Sequence, residues 1–465
     1  MQGTYGWNDK VMGTEDCLTL DIVRPDTDEE LPVVVYIHGG TFLTGFSNEK
    51  IFQGHHFTST TNIVYVSINF RLGVLGYLDM RSLGADCVAN PATYDQILAL
   101  QWVRDNIAAF GGNPDRVTIM GESAGANAVT ALMSSPQARG LFHGAIAQSA
   151  PVAAVHSRLQ AAMWVRALLD GMGMSRLSTI SDLRAVPAED LVRVGNALLI
   201  RSGEIQYLNL AFMPTVDESV LPQHPIDTFA AHEEAPVPLI IGSNSGEASF
   251  TKAMFMFSRT RQRAARRILE VFDPENADAI LAAYNNATDR SDFAELVADA
   301  VFWAPSVSIA SDHRHVAPVW MYHFDFAAAP LQKLGVGAVH TADLETVFGA
   351  RFTTPAGILQ TLTPRADFDT VSEMMQRHWG SFFHTGRPGD IWPEYGFSSD
   401  TAPGRATAVL RTESTVVWDP KPEKRRAWEG FNLTQWGTGR RDIAESLEDF
   451  LGIDPDDPQW NPAAL

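Results

Sequence analysis

Val117-Thr-Ile-Met-Gly-Glu-Ser-Ala-Gly125 is the stretch on which the reading of this chain turns. Val117 to Met120 form a short strand, and the Ala-rich sequence running on to Leu132 reads as a helix. Between them stands Gly121-Glu-Ser-Ala-Gly125, a G-x-S-x-G pattern. A serine at such a strand-to-helix turn is exposed on a strained corner, where side chains larger than glycine on either side would strike neighbouring backbone. The helix that follows points its N-terminal N–H groups at the same spot. With 35 glycines in the chain the pattern alone is weak, and its setting gives it weight.

Upstream, Val33-Val-Val-Tyr-Ile37 is a continuous apolar run of the kind a buried strand needs, and it ends in His38-Gly-Gly-Thr-Phe42. Two glycines there let backbone N–H groups come close to a developing oxyanion. Ala124, the residue after Ser123, is one candidate donor, and this loop should supply the others. Ile63 to Ile68, Ala145 to Ala147, Pro238 to Ile241 and Val319 to Phe324 read as further strands. Ile97, Leu100, Val103 and Ile107 recur at helical spacing until Phe110-Gly-Gly-Asn-Pro114 stops them. Strands alternating with helices predict an α/β fold, a mainly parallel sheet covered on both faces. Segments 153–235 and 251–315 read as helical insertions over the sheet, able to wall a substrate gorge, within one domain spanning 1–465. Ile443, Leu447, Phe450 and Leu451 predict an amphipathic C-terminal helix, and 441–465 an acidic tail.

Composition narrows the function classes. Acidic residues outnumber basic ones by 55 to 35, and the formal charge of -20 disfavours nucleic acid and anionic lipid as partners. No apolar run stands out as long enough to span a bilayer, and the first residues lack the basic start and apolar core of a signal peptide. Cys17 and Cys87 are too few for a disulfide framework and fit a reducing compartment, with a single bridge between them left open. The expectation is therefore a cytoplasmic monomer or homodimer acting on a small molecule, or a secreted one if an N-terminal segment precedes this sequence.

The motifs resemble those of the type-B carboxylesterases and cholinesterases. The matching stretches include Glu15-Asp-Cys-Leu-Thr-Leu-Asp21, His38-Gly-Gly-Thr-Phe42, Asn69-Phe-Arg-Leu-Gly73, Asp95-Gln-Ile-Leu-Ala-Leu-Gln-Trp-Val103, Phe110-Gly-Gly-Asn-Pro114, Gly121-Glu-Ser-Ala-Gly125 and Gln148-Ser149. The resemblance implies the α/β-hydrolase fold and a triad in the order Ser, Glu, His. Its acid belongs to an Asn-x-x-Glu segment, which selects Glu247 in Ile240-Ile-Gly-Ser-Asn-Ser-Gly-Glu247 over the rival Asp217. A histidine after that acid is required, which leaves His313, His315, His323, His340, His378 and His384. Only His340 matches the family's His-x-x-Asp/Glu…Phe-Gly pattern, ahead of Asp343 and Gly349. The resemblance also implies Gly40, Thr41 and Ala124 as the oxyanion donors, supporting roles for Gly39, Glu122, Ser149 and Asp343, a substrate contact at Phe42, and a serine carboxylesterase that needs no metal or cofactor.

Three departures refine the expectation. Thr41 stands where the family usually has glycine or alanine, so esters of bulky tertiary alcohols should be poor substrates. The cysteine that normally pairs with the Cys17 position is missing, which implies a free Cys17. Trp7 falls where cholinesterases carry their choline-binding tryptophan, leaving choline esters as an alternative to simple alkyl esters. Family members that lost the nucleophile are binding or adhesion proteins, but Ser123, Glu247 and His340 are all present here.

Overall fold

The computed structural model describes residues 2–3, 10–201, 208, 210–254, 257–351, 353, 362–390, 392–398 and 404–435. Trp7 and the 441–465 tail lie outside the described residues. The frame is a 9-stranded sheet. Its strands are β1 (Leu20–Val23), β2 (Leu31–Ile37), β3 (Val64–Ile68), β4 (Gly112–Glu122), β5 (Gly144–Gln148), β6 (Leu239–Asn244), β7 (Val319–Phe324), β8 (Ala406–Leu410) and β9 (Thr415–Trp418). They lie in the order β1-β3-β2-β4-β5-β6-β7-β8-β9. β1 and β9 pair antiparallel at the two edges, and every pairing between them is parallel.

Each interior strand reads as an apolar run because both its faces are buried. Along β2, Val33, Val35 and Ile37 enter one core while Val34 and Tyr36 enter the other. The first core is closed by α1 (Pro91–Asn106), through Ile97, Leu100 and Val103, and by α2 (Ala124–Ser134), through Val129 and Leu132. The chain then adds α3 (Arg158–Met172), α4 (Ala188–Arg201), α5 (Ser258–Phe272), α6 (Arg290–Ala298) and α7 (Ala304–His313). The second core is closed by α8 (Ala342–Phe348) and α9 (Arg365–Thr385), which bring Val347, Phe348, Val371, Trp379 and Phe382. Each such side chain contributes roughly 1.5–3 kcal/mol by leaving water. α10 (Pro422–Glu429) follows the last strand.

Two expectations need correction. The sheet has edge strands β1 and β9, and β8 beside β9, that hydrophobic patterning did not mark, because β1 and β9 are partly exposed and β8 (Ala-Thr-Ala-Val-Leu) consists largely of small residues. Among the described residues one helical run, Arg290–His313, is long and apolar enough to cross a membrane, although none was expected. Most of that run is buried, with Ala300, Ala304, Ile309 and Ala310 in the core, which accounts for its composition.

The register brings the site together. Ile37 lies opposite Gly121, and Gln148 opposite both Glu122 and Gly242. The carboxyl ends of β2, β4, β5 and β6 therefore reach one rim, and the loops leaving them meet there.

Candidate active site

Ser123 occupies the single residue between β4 and α2, with φ 57 and ψ -124. A side-chain-bearing residue in that region is strained, at a cost of about 1–3 kcal/mol. The turn holds because its N–H donates to Gln148 O (2.9 Å) and its carbonyl accepts from Asn127 N (3.0 Å). The flanking glycines are required by contact. A Cβ on Gly125 would stand 2.0 Å from Ile37 O and 2.8 Å from His38 O, and one on Gly121 2.4 Å from Gly125 O. Gly125→Ala would thus push α2 away from the strand end that launches the His38–Phe42 loop. The expected result is a kcat lowered about 100-fold, as when an oxyanion donor is misplaced, together with a lower Tm. Unchanged kcat would show that loop and helix are not coupled.

Three residues distant in sequence converge on that turn. His340 Nε2 lies 2.9 Å from Ser123 Oγ, and His340 Nδ1 lies 2.6 Å from Glu247 Oε2. An ionised carboxylate can only accept, so in the neutral ring Nδ1 carries the proton and Nε2 is left to accept from the serine hydroxyl. Glu247 is itself fixed, because its Oε1 accepts from Ser149 Oγ (2.5 Å) and from Asn244 N (2.7 Å). Asp343, fully buried, accepts from Gln148 Nε2 (2.7 Å), Tyr322 OH (3.0 Å) and Asn244 Nδ2 (3.3 Å). Asn244 Nδ2 also donates to Val339 O (3.1 Å), beside His340. Asp343 therefore ties the ends of β5, β6 and β7 to the start of α8. Burial raises its pKa.

Glu122 approaches the imidazole from the other side, with Oε1 3.4 Å from His340 Nε2. That oxygen is buried without a hydrogen bond. Burial pushes the Glu122 carboxyl up to about 8, against the pull of the His340 charge. Burial pulls His340 down, but the charges of Glu122 and Glu247 and the Glu247 hydrogen bond outweigh it and lift the imidazole to about 9. A general base works only when neutral, so kcat/KM should rise with pH along a limb lying above the ordinary histidine value. Glu122→Gln removes one of the charges holding the proton on, so that limb should move to lower pH. A pH profile of kcat/KM for both proteins checks the sign; a limb that stays put would remove Glu122 from this role.

The His38–Phe42 loop and the helix start flank the same cavity. Thr41 and Ala124 line it beside Ser123, and Gly40 caps the turn beneath them by accepting from Leu43 N and Thr44 N, both at 3.0 Å. Thr41 and Phe42 have φ of 54 and 60. A β-branched residue in that region is an outlier, held here by Gly73 N donating to Phe42 O (2.7 Å). Gly39 packs against Glu122 and the Ser123 side chain. Phe42 lines the cavity and packs edge-on against Tyr77. The cavity encloses about 380 Å³. Its outer wall is apolar, from Leu208 and Leu210 in the first helical segment and Ile268, Phe293, Val297, Val301 and Phe302 in the second.

The rivals have other partners. Asp217 accepts from Ser219 N, Val220 N, Leu221 N and Asn90 Nδ2, stapling a turn. His313 is fully buried between Glu234 (2.6 Å) and Val237 O (2.8 Å). His323 lies in β7, His378 bonds Pro388 O and His384 bonds Thr61 O. Cys17 and Cys87 are both free thiols. Gln148 and Asn244 stood inside quoted motifs, but their roles as braces were not readable there. Phe302 carried no signal at all in the sequence.

The chain is similar to known proteins over most of its length. The Carboxylesterase family model matches residues 1–427. Para-nitrobenzyl esterase of Bacillus subtilis is 34% identical over 424 residues, covering 89% of this chain and 82% of that protein. Carboxylesterase 1D of Rattus norvegicus is 31% identical over 462 residues, covering 90% and 79%. A solved PNB esterase superposes with a TM-score of 0.78 at 33% identity, covering 89% of this chain and 84% of that one. A Geobacillus stearothermophilus carboxylesterase superposes with a TM-score of 0.78 at 28% identity, covering 92% and 88%. With sequence family and backbone in accord, the chain belongs to the carboxylesterase family: it is a serine hydrolase of carboxylic esters on the α/β-hydrolase fold.

Proposed function

We propose that this enzyme hydrolyses short- to medium-chain carboxylic esters through an acyl group carried on Ser123. The observation that carries the assignment is the unbroken relay from Ser123 Oγ through His340 to Glu247, at 2.9 and 2.6 Å. His340 takes the serine proton as Oγ adds to the ester carbonyl. Backbone N–H groups of Gly40, Thr41 and Ala124 stabilise the tetrahedral oxyanion. The proton then goes to the leaving alcohol, and water, activated by the same imidazole, releases the acid. Glu247 keeps the ring in the working tautomer and stabilises its cation.

The cavity of about 380 Å³ lies toward the small end of ligand sites, and its apolar wall suits an alkyl chain rather than a charged one. Turnover of p-nitrophenyl esters from acetyl to dodecanoyl should therefore peak among the shorter chains. In a parallel series of acetates, tertiary alcohols should react far more slowly than linear ones, because the Thr41 side chain lines the cavity beside Ser123. A flat chain-length profile, or equal rates for tert-butyl and n-butyl acetate, would overturn the corresponding part of the reading. The free thiols Cys17 and Cys87 support the further proposal of a cytoplasmic location.

A further inference from the structure

Phe302 touches the reacting machinery and has no role in the mechanism above. Its ring lies on the His340 ring with centroids 4.9 Å apart and planes 28° from parallel. It belongs to Asp299–Trp303, a π-helical turn inserted between α6 and α7. Such a turn interrupts a regular helix and frequently marks a functional position.

Something must hold that turn, and Lys421 grips it at both ends. The Lys421 ammonium donates to both Asp299 oxygens, at 2.9 and 3.0 Å, and lies 5.0 Å from the centre of the Trp303 ring. Asp299 is buried and also accepts from Tyr284 OH at 2.6 Å, which in turn accepts from Trp428 Nε1 at 2.8 Å. Glu295 completes the charge balance, 3.0 Å from Lys421 and 2.7 Å from Lys424. The segment just before α10 is thereby fastened to the turn that carries Phe302.

The contact has a mechanical consequence. Hydrogen bonds at Nδ1 and Nε2 hold the His340 ring but tolerate bending, so the ring can still tilt by small rotations about its Cα–Cβ and Cβ–Cγ bonds. A flat ring against one face removes that freedom. We propose that Phe302 is a positioning residue for the His340 imidazole, and that Lys421 holds Phe302 there through Asp299. The proposal rests on the reading of Ser123, His340 and Glu247 as the triad.

The test measures kcat and KM on p-nitrophenyl acetate, an acyl group too small to need the outer wall. Phe302→Leu should lower kcat about tenfold with KM within about twofold, since loss of orientation falls on the chemical step. Phe302→Tyr, which keeps the ring, should retain the parent kcat. Lys421→Met should lower kcat by a few fold, and Lys421→Arg should restore it. A polar cavity of about 370 Å³ beside Lys421 and Asp299 gives the larger side chain room. Because Lys421 acts through Phe302, Phe302→Leu/Lys421→Met should be no slower than Phe302→Leu alone. If Lys421→Met fails to fold with Asp299 unpaired, Asp299→Asn/Lys421→Met removes both charges and replaces it in the cycle. Parent kcat in Phe302→Leu, a change confined to KM, or multiplying effects in the double variant would overturn the proposal. Absence of Ser123-dependent turnover in the parent would instead overturn the triad reading, and this proposal with it.

Discussion

Ser123→Ala is expected to lower kcat about 10⁶-fold, because members of a triad act as a unit and the loss of the nucleophile ends covalent catalysis. What remains is a rate above water of about 10³–10⁴, supplied by substrate binding and the oxyanion donors. KM should stay near the parent value, since the cavity wall is untouched. Stability should also stay near the parent, because alanine keeps the Cβ and so the strain at φ 57 and ψ -124. Ser123→Gly separates the two quantities. Glycine enters this region freely, so that variant should be equally inactive yet more stable than Ser123→Ala by about 1 kcal/mol. Steady-state rates and thermal melts of both variants read the two effects independently. A kcat within 100-fold of the parent would show that another group attacks the ester.

Glu247→Gln should cost about 10⁴-fold in kcat with little change in Tm, as expected when the base is held in the wrong tautomer. The direction of the amide follows from its neighbours. Ser149 Oγ and Asn244 N both donate to Oε1, so the glutamine oxygen must take that place. Its NH₂ then faces His340 Nδ1, where Glu247 Oε2 now accepts at 2.6 Å. Nδ1 becomes an acceptor, the proton moves to Nε2, and Nε2 can no longer take the serine proton. The geometry survives while the chemistry stops. Loss of less than tenfold would mean that Glu247 merely packs, and would return Asp343 and Glu122 to consideration.

Much of this site was legible before any coordinates because its central device is local. The backbone angles of the corner at Gly121-Glu-Ser-Ala-Gly125 are set within a few residues, and the pattern itself records the glycines that the close approach of Ile37 and His38 requires. The His38-Gly-Gly-Thr-Phe42 loop follows directly from one long apolar run. Interior strands such as Leu31–Ile37 announce themselves since both faces carry large apolar residues, whereas β8 is built largely of small ones and β9 is half exposed.

What tertiary structure alone decided concerns residues that meet only after the strands take their order. The Asn-x-x-Glu pattern already favoured Glu247 over Asp217, but the physical reason lies in the register of β5 and β6, which sends one carboxylate to the imidazole while the other staples a turn. His313 sits in sequence that looks solvated, yet α7 carries it into the core against Glu234. The bracing of Asp343 by Gln148 and Asn244 requires the ends of two strands to reach one rim. Phe302 lies over His340 only because a helix between distant segments is interrupted by a π turn and clamped by a lysine near the far end of the sheet. Short-range sterics write the nucleophile and its oxyanion loop into adjacent residues. Partners brought from distant positions depend on the packing of the whole sheet, which no local pattern encodes.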